Sequence, residues 1–398
     1  MRFSPRVDRI SGEGAAAWKI HSAAMAARRA GADIIVMSIG DPDFATPPPI
    51  VERAVAALRA GDTHYTEIPG RPALRAAIAR QHREGGGAEA GAANVIVLAG
   101  AQNALFAASL CLLSPGDEVL VPEPMYVTYE ATVHVSGATL VSVPSRPGGG
   151  FRPDLDAIER AVTPRTRAIL FANPNNPSGV VMSRAELEGM AGIARRHDLW
   201  VVADEVYAAL TFDAPHISIA GLDGMAERTV TVGSVSKSHA MTGWRCGWLI
   251  APEALVTHVE NLSLCMLYGL PGFVQEGGIE ALTRAASEAE RMRDVYRRRR
   301  DLVCEALSGL PELSAFRPDA GMFLLVDVRG TGRSASDFAW RLFEEEGVSV
   351  LDATAFGASA AGFVRLSYTL GEVELTEGCA RIRRFVERLR QGPLRARG

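Results

Sequence analysis

Lys237 is one of only two lysines in this chain of 398 residues, the other being Lys19. A lysine amine, unlike a guanidinium, can lose its proton and attack a carbonyl carbon, which is the basis of Schiff-base chemistry. Ser234 precedes Lys237 and Arg245 follows it, so a hydroxyl and a fixed cation are available to hold a phosphate dianion. Together these residues indicate pyridoxal phosphate (PLP) as the cofactor. The alternative is a surface lysine without a role, because lysines are usually solvated.

The segment from Gly233 to Trp248 contains Ser-x-Ser-Lys followed by Met-Thr-Gly-Trp-Arg-x-Gly. This pattern resembles the lysine signature of the class I and II aminotransferases, which are PLP enzymes of fold type I. The resemblance runs from about Ser38 to Ser367, and it implies that Lys237 binds the cofactor and moves a proton during amino transfer. A finer resemblance, to bacterial arginine–pyruvate transaminases, rests on segments such as Glu-Pro-Met-Tyr-Val-Thr-Tyr-Glu-Ala. It implies arginine as a candidate amino donor and pyruvate as a candidate acceptor.

The bulk composition favours a small-molecule partner. A net charge of −4 and a pI near 6.1 provide no general attraction to nucleic acid or to an anionic membrane. The five cysteines are scattered, without Cys-x-x-Cys spacing, which predicts a reducing cytoplasmic location and no metal site. The apolar run from Val95 to Leu113 is broken by Gly100, so it predicts a strand, a turn and a helix rather than a membrane span.

From Asn94 onward, short apolar runs alternate with helical stretches, which is typical of an α/β fold with a largely parallel sheet. The candidate strands are Val95–Ala99, Glu118–Val121, Thr139–Val143, Ala168–Ala172, Trp200–Ala203, Thr229–Gly233 and Gly247–Ala251. Further strands at Gly321–Val326, Val348–Val350 and Phe363–Ser367 predict a smaller second sheet, and Ile34–Met37 predicts a short strand before the first domain. The resemblance implies a seven-stranded, mostly parallel sheet between helices in the large domain, and a smaller α+β domain.

The predicted helices are Gly14–Arg29, Pro49–Ala60, one beginning near Pro72, a long one at Val274–Leu307, Ser334–Glu345 and Val373–Arg390. The arginine run from Arg297 to Arg300 lies within the long helix, where we expect a solvated, partly salt-bridged face. We divide the chain into an N-terminal segment, residues 1–45, that belongs to the small domain, a large PLP-binding domain, residues 46–289, and a small C-terminal domain, residues 290–398.

Residues that could bind a cofactor follow several of these strands. Gly100, Ala101 and Gln102 connect the first strand to a helix, so their backbone N–H groups and the helix N-terminus could hold a phosphate. A single strand–glycine–helix turn is weak support for such a site. Tyr126 lies just beyond the second strand, where an aromatic ring can stack on a planar cofactor. In the resembled family this position is often tryptophan.

Asp204 ends a buried strand and must be paired or hydrogen-bonded to remain charged. A protonated pyridine nitrogen would provide that partner and would let the ring accept electrons from the substrate. The alternative is that Asp204 caps a helix. The resemblance implies that Asn176 and Tyr207 both donate hydrogen bonds to the phenolic oxygen of the cofactor. Asn176 lies in a turn that contains two Asn-Pro pairs and is therefore tightly restricted.

Arg365 lies in a strand of otherwise uncharged residues, and a buried arginine needs a carboxylate. The resemblance implies that this carboxylate is the α-carboxylate of the substrate and that Gly40 lies beside it. It also implies that Tyr65 reaches across a homodimer interface to the cofactor phosphate of the neighbouring subunit. The alternative for Tyr65 is an ordinary loop tyrosine. The pair Leu351-Asp352 departs from the Pro-Gly that many family members carry there.

Two other functions remain open. A carbon–sulfur lyase or a racemase on the same fold would share every cofactor-binding residue. A non-catalytic PLP sensor would carry a DNA-binding domain before the aminotransferase pattern, and we expect no such domain because the pattern starts near the N-terminus. If arginine is the donor, its guanidinium needs an acidic or aromatic partner, for which Glu13 and Tyr268 are the candidates from sequence.

Overall fold

The computed structural model describes residues 1–4, 6–10, 18–145 and 147–391. Its strands are β1 (Ile35–Val36), β2 (Val95–Ala99), β3 (Glu118–Pro122), β4 (Thr139–Val143), β5 (Thr166–Ala172), β6 (Trp200–Asp204), β7 (Thr229–Ser234), β8 (Cys246–Ile250), β9 (Ser314–Phe316), β10 (Phe323–Asp327), β11 (Val348–Ser349), β12 (Leu351–Asp352) and β13 (Phe363–Ser367). Its α-helices are α1 (Arg6–Arg9), α2 (Lys19–Arg29), α3 (Pro48–Arg59), α4 (Pro72–Glu84), α5 (Ala101–Leu112), α6 (Tyr129–His134), α7 (Leu155–Ala161), α8 (Arg184–Arg196), α9 (Glu253–Met266), α10 (Gly272–Thr283), α11 (Ala286–Ala306), α12 (Ala335–Glu346) and α13 (Glu372–Gln391).

The main sheet has seven strands in the order β2-β8-β7-β6-β5-β3-β4, which confirms the predicted α/β architecture. Strand β8 is antiparallel to both of its neighbours, and the remaining pairs are parallel. Because two antiparallel pairings restore the original direction, β2 points the same way as β5, β6 and β7. The carboxyl ends of β2, β5, β6 and β7 and the start of β8 therefore meet at one edge of the sheet.

A second, four-stranded sheet has the order β12-β13-β10-β9 and is antiparallel throughout. The sequence predicted Val348–Val350 as a strand beside the other two strands of this smaller sheet, and that prediction was wrong. Strand β11 instead pairs in parallel with β1, as Ile35 donates a backbone hydrogen bond to Gly347 (2.8 Å) and Met37 donates one to Ser349 (2.9 Å). Gly347, at φ 68°, ends α12 and turns the chain toward β1.

The predicted long helix from Val274 to Leu307 is two helices, α10 and α11, separated at Arg284 and Ala285. No proline or glycine lies at this break, so the sequence alone does not indicate it. Ala285 is buried with the apolar side chains that cover the large sheet, whereas Met292 of α11 is buried with the core of the small sheets. The break therefore lets consecutive helices pack on two different cores.

Only two of the four arginines in the run from Arg297 to Arg300 are exposed, although the sequence predicts a solvated face. Arg297 and Arg298 are exposed, but Arg299 and Arg300 are buried, which corrects the expectation of a solvated face. Arg300 pairs with Asp213 at 2.7 Å and donates to the carbonyl of Pro318 at 3.0 Å. Burial of these guanidinium groups depends on acidic partners that lie far away in the sequence.

Within the part of the chain that the structure describes, no helix is long and apolar enough to cross a membrane. In the same part, no group of three or more histidine, cysteine, aspartate or glutamate side chains could hold a metal ion. The N-terminal helix predicted at Gly14–Arg29 is described from Lys19 onward, as α2. Its first residues, and Glu13, lie outside the described residues.

Candidate active site

A cavity of about 470 Å³ opens at the edge of the main sheet where the carboxyl ends of β2, β5, β6 and β7 meet. It lies between this edge and the small sheet, which contributes Phe323 from β10 and Arg365 from β13. The predicted site residues that line it are Gly40, Ala101, Gln102, Tyr126, Asn176, Asp204, Tyr207, Ser234, Lys237, Arg245 and Arg365. The structure thus brings together the predicted cofactor-binding and substrate-binding residues except Gly100 and Tyr65. Of the two candidates for a guanidinium partner, Tyr268 does not line the cavity and Glu13 lies outside the described residues.

One end of the cavity is built to receive an anion. Helix α5 begins at Ala101 without a side-chain cap, so its first N–H groups have no intrahelical acceptor. Arg245, which has a left-handed φ of 56°, donates to the carbonyls of Thr242 (2.9 Å) and Ala99 (3.3 Å), and no described carboxylate pairs with it. Gly100 has φ 85°, and a Cβ there would collide with the Arg245 guanidinium. The glycine therefore lets the cation and the helix terminus lie side by side.

The two remaining residues at this end contribute in different ways. Ser234 ends β7, where its buried hydroxyl accepts a weak hydrogen bond from the N–H of Ser236 at 3.4 Å. The Gln102 side chain turns away, because its amide contacts Thr128 (2.7 Å) and Thr132 (2.8 Å). Gln102 consequently presents its backbone, rather than its side chain, at the start of the helix.

Asp204 lies on the floor of the cavity, buried at the end of β6. Its carboxylate accepts hydrogen bonds from the Tyr129 hydroxyl at 2.8 Å and from the N–H of Val206 at 3.3 Å. Burial raises the pKa of Asp204 from 3.8 to about 6, and the Tyr129 hydrogen bond only partly opposes this effect. No described lysine, arginine or histidine pairs with Asp204, so its negative charge has no cationic partner.

Tyr129 was missed at the sequence level, although it is fully buried against Asp204. Its ring packs edge-on against that of Tyr126, with 5.8 Å between the centroids. The signal was present as two tyrosines three residues apart, at the start of α6. Only the fold shows that the second of them reaches the end of β6.

Asn176 and Tyr207 lie together on another wall of the cavity. Burial raises the pKa of the Tyr207 hydroxyl far above its ordinary value, while an interaction with the Asn176 side chain opposes this effect. The Tyr207 ring packs edge-on against Phe323 at 5.9 Å. Tyr207 is therefore a neutral phenol at physiological pH and can donate a hydrogen bond.

Lys237 projects into the middle of the cavity, where its Nζ donates to the carbonyl oxygen of Gly40 at 2.7 Å. Burial lowers the pKa of Lys237 from 10.5 to about 8. The charge of Asp41 opposes this shift, whereas the cations Arg365 and Arg245 reinforce it. The amine therefore loses its proton far more readily than an ordinary lysine does.

Arg365 forms the other end of the cavity and is almost fully buried. It donates to Asn176 Oδ1 at 3.1 Å and to the Ser38 carbonyl at 3.0 Å, and its guanidinium lies over the ring of Phe323 at 4.3 Å. Its Nε has no hydrogen-bond partner, and burial without a carboxylate lowers its pKa to about 10. A ligand carboxylate would complete this site.

Other lining residues were also missed as site residues, and among them are Trp18, Asp41 and Thr242. The Thr242 hydroxyl donates to Asp41 Oδ1 at 2.7 Å, which links the turn after Gly40 to the segment after Lys237. Asp41 could have been found from its place in the Gly-Asp-Pro turn. Trp18 precedes α2 and has no local sequence signal for the site.

Tyr65 and Tyr268 lie outside the cavity. Their rings contact each other with 4.7 Å between the centroids, and the Tyr65 side chain is 85% exposed. The departure at Leu351-Asp352 forms β12, after which Asp352 accepts a hydrogen bond from the N–H of Thr354 at 2.9 Å. The aspartate thus stabilises the following turn in place of the Pro-Gly pair.

The chain is similar in sequence to known aminotransferases. The family model described as "Aminotransferase class I and II" matches residues 32–382. The chain is 53% identical, over 96% of its length and 97% of the relative's, to the arginine–pyruvate transaminase AruH of Pseudomonas aeruginosa. It is 37% identical to the aspartate/prephenate aminotransferase of Thermus thermophilus, over 93% of this chain and 95% of that protein.

Solved structures of aminotransferases are similar in fold to this chain. The aspartate aminotransferase of Thermus thermophilus, determined with maleate, has a TM-score of 0.91 and 36% identity, and the alignment covers 96% of this chain and 100% of that one. The aspartate aminotransferase of Rhizobium meliloti has a TM-score of 0.92 and 30% identity, with 98% and 99% of the two chains covered.

Proposed function

This chain belongs to the aminotransferase class I and II family, and from that premise we propose that it uses PLP to move the amino group of arginine to pyruvate. The observation that carries the proposal is one cavity lined by Lys237 together with two charged groups, Asp204 and Arg365, that form no ion pair with any described residue. The proposed donor and acceptor are supported by the 53% identity to the arginine–pyruvate transaminase of Pseudomonas aeruginosa.

The residues present fit PLP at each of its groups. Asp204, a buried carboxylate without a cation, would pair with the protonated ring nitrogen. Arg245, Ser234 and the N-terminus of α5 would hold the phosphate. Asn176 and Tyr207 would donate to the phenolic oxygen, and Tyr126 would cover one face of the ring. When bound, PLP supplies an electron sink for the electrons released at the substrate Cα.

Lys237 supplies the acid–base chemistry in this proposal. Its amine, with a pKa of about 8, can accept the proton from the substrate Cα near neutral pH and return it later in the reaction. General acid–base catalysis of this kind contributes about 10²–10⁴-fold to the rate. Arg365 orients the substrate by binding the substrate's α-carboxylate. Its guanidinium is buried, and although two of its nitrogens donate to the protein, its Nε has no hydrogen-bond partner.

Other features of the sequence-based hypothesis are also retained as proposals. We propose a homodimer in which Tyr65 of each subunit serves the neighbouring site, a division into domains near residues 45 and 289, and a cytoplasmic location. The 85% exposure of the Tyr65 side chain in the single chain supports its role at an interface.

The first prediction tests Lys237 directly. Lys237→Ala should abolish the visible absorbance of bound PLP and reduce turnover by at least about 10²-fold, because the acid–base group is lost. The matched control is Lys19→Ala, which removes the only other lysine and should leave both properties unchanged. Normal turnover in Lys237→Ala would contradict the assignment.

Product analysis of the wild-type enzyme with and without pyruvate separates the remaining alternatives. A transaminase needs the 2-oxo acid acceptor, whereas a carbon–sulfur lyase or a racemase turns over without it.

A further inference from the structure

The charges that line the cavity are unevenly distributed. Among the described lining residues, the cations are Lys237, Arg245 and Arg365, and the carboxylates are Asp41 and Asp204. In the proposed function Arg245 pairs with the phosphate and Arg365 with the α-carboxylate, so neither pair neutralises the further positive charge of a cationic donor side chain. That side chain needs a carboxylate in contact with it, because desolvation of an unpaired cation opposes binding. Asp204 is buried on the floor and committed to the ring nitrogen in the proposed function, which leaves Asp41.

Asp41 is placed in the wall of the cavity by the segment before it, residues 38–40. In this segment the carbonyl of Ser38 accepts from Arg365 at 3.0 Å, and the carbonyl of Gly40 accepts from Lys237 at 2.7 Å. The chain from Ser38 to Asp41 thus runs from the carboxylate-binding arginine past the catalytic amine. Asp41 comes next, on the exposed side, and its charge acts on Lys237.

The carboxylate of Asp41 is held in place yet remains available to a ligand. Thr242 donates to its Oδ1 at 2.7 Å, and Oδ2 has no hydrogen-bond partner among the described residues. No described arginine or lysine forms an ion pair with Asp41. The carboxylate is therefore oriented by a neutral hydroxyl rather than by a cation, so it can pair with a cationic ligand in the cavity.

An aromatic side chain lies on the same side of the site. Trp18 also lines the cavity, and its ring packs edge-on against His21 at 6.0 Å. His21 in turn contacts the Ser38 hydroxyl at 3.0 Å, so Trp18 is anchored beside the segment that carries Asp41. A planar guanidinium can lie on an indole face while a carboxylate binds its edge.

We propose that Asp41 is the specificity residue that binds the cationic side chain of the donor, with Trp18 as the adjoining aromatic wall. This inference rests on the proposed function, because it names how the same site selects an arginine-like donor. Asp41 takes the role for which the sequence offered Glu13 and Tyr268. Tyr268 lies outside the cavity, and Glu13, which lies outside the described residues, is the alternative to Asp41.

The test compares arginine with citrulline, which has nearly the same shape but a neutral side chain. The quantity measured is the ratio of kcat/KM for arginine to kcat/KM for citrulline, in wild type and in Asp41→Asn. Asparagine can still accept the Thr242 hydrogen bond, so shape is retained and charge is removed. Because Asp41 also acts on Lys237, both donors will slow, and the ratio isolates the effect on the side chain.

We expect the ratio to fall by at least about tenfold in Asp41→Asn, the effect of losing a charge-assisted hydrogen bond. Asp41→Glu, which restores the carboxylate, should recover part of the loss. Thr242→Val, which removes the hydroxyl but keeps the charge, should change the ratio far less. An unchanged ratio in Asp41→Asn overturns the inference, as does a ratio that falls only in Glu13→Gln.

A binding measurement provides a second readout that needs no turnover. 5-Guanidinopentanoate is arginine without its amino group and cannot react, and 5-ureidopentanoate is the matching compound with an uncharged urea group in place of the guanidinium. Calorimetry on the holoenzyme should show that Asp41→Asn weakens the first ligand by about tenfold or more and the second by less than about twofold. If the wild type turns over neutral donors but not arginine, the proposed donor is wrong, and this calorimetry still decides whether Asp41 binds a guanidinium.

Discussion

At the scale of single residues, Asp204 shows how a site can be unfavourable for stability and favourable for function. Its pKa rises from 3.8 to about 6 because the carboxylate is buried without a cation. Between pH 3.8 and about pH 6, the folded state binds a proton that the unfolded state does not, so the free energy of unfolding falls as the pH rises. The cost is complete above about pH 6 and, at 1.36 kcal/mol per pKa unit, amounts to roughly 3 kcal/mol at most.

The prediction is that Asp204→Asn stabilises the cofactor-free protein at pH 7.5 by about 1–3 kcal/mol, since the buried charge is gone. Asparagine can still accept from the Tyr129 hydroxyl. The same variant should lose orders of magnitude in transamination, because the ring nitrogen loses its charged partner. Urea unfolding at pH 7.5 measures the stability. At pH 5 the difference from wild type should fall to about half, and it should approach zero only below about pH 4.

Two results would contradict this account of Asp204. Unchanged transamination in Asp204→Asn would mean that the carboxylate only caps or cross-links the end of β6. A stability difference that persists undiminished at pH 5 would mean that burial of charge is not its cause.

At the scale of elements, helix α11 holds the turn whose first residue, Gly40, contacts Lys237. Arg299 binds both oxygens of Asp43, at 2.7 and 2.9 Å, and its guanidinium lies over the ring of Phe44 at 5.3 Å. The turn begins at Gly40, whose carbonyl accepts from Lys237. A Cβ at Gly40 would collide with Phe323, so the turn is also fixed from the small sheet.

We predict that Arg299→Met lowers the free energy of unfolding by about 2–3 kcal/mol, near the lower limit for a broken buried pair because Asp43 is partly exposed. The matched control is Arg298→Met, at the preceding residue. Arg298 is exposed and lies 3.8 Å from Glu372, so its loss should cost less than about 1 kcal/mol. Denaturant unfolding of the two variants provides the comparison, and equal losses would refute the role of the Arg299–Asp43 pair.

At the scale of the whole molecule, the proposed homodimer accounts for an exposed aromatic pair. Tyr65 and Tyr268 contact each other on the surface of the single chain. Tyrosine is enriched at protein–protein interfaces, so a subunit contact would explain this exposed pair. If Tyr65 reaches the phosphate of the neighbouring subunit, each cavity contains a hydrogen bond that the single chain cannot provide.

The corresponding prediction is a dimer by sedimentation and an approximately tenfold or greater rise in the PLP dissociation constant for Tyr65→Phe, from loss of a hydrogen bond to a charged group. Tyr268→Phe retains the ring contact and serves as the control, with little expected change. A monomer, or equal PLP affinity in Tyr65→Phe and wild type, would show that Tyr65 is an ordinary loop residue.

Sequence determined the features that depend on residue type and local order. Lys237, Asp204 and Arg365 could be identified because each is an ionisable group in an apolar setting, which is costly unless it has a partner. Strands β2, β4 and β13 were predicted with the bounds they have, since short apolar runs between turns form strands. The family motifs, in order along the chain, supplied the remaining site residues.

Only the tertiary structure decided which distant residues meet. Tyr129 reaches Asp204, Arg299 reaches Asp43, and β11 pairs with β1, in each case across a long stretch of chain. Local periodicity carries no record of such contacts, because they are selected by how the packed layers cover one another. The site itself forms for the same reason, as the strand directions of the main sheet bring its ends together at one edge.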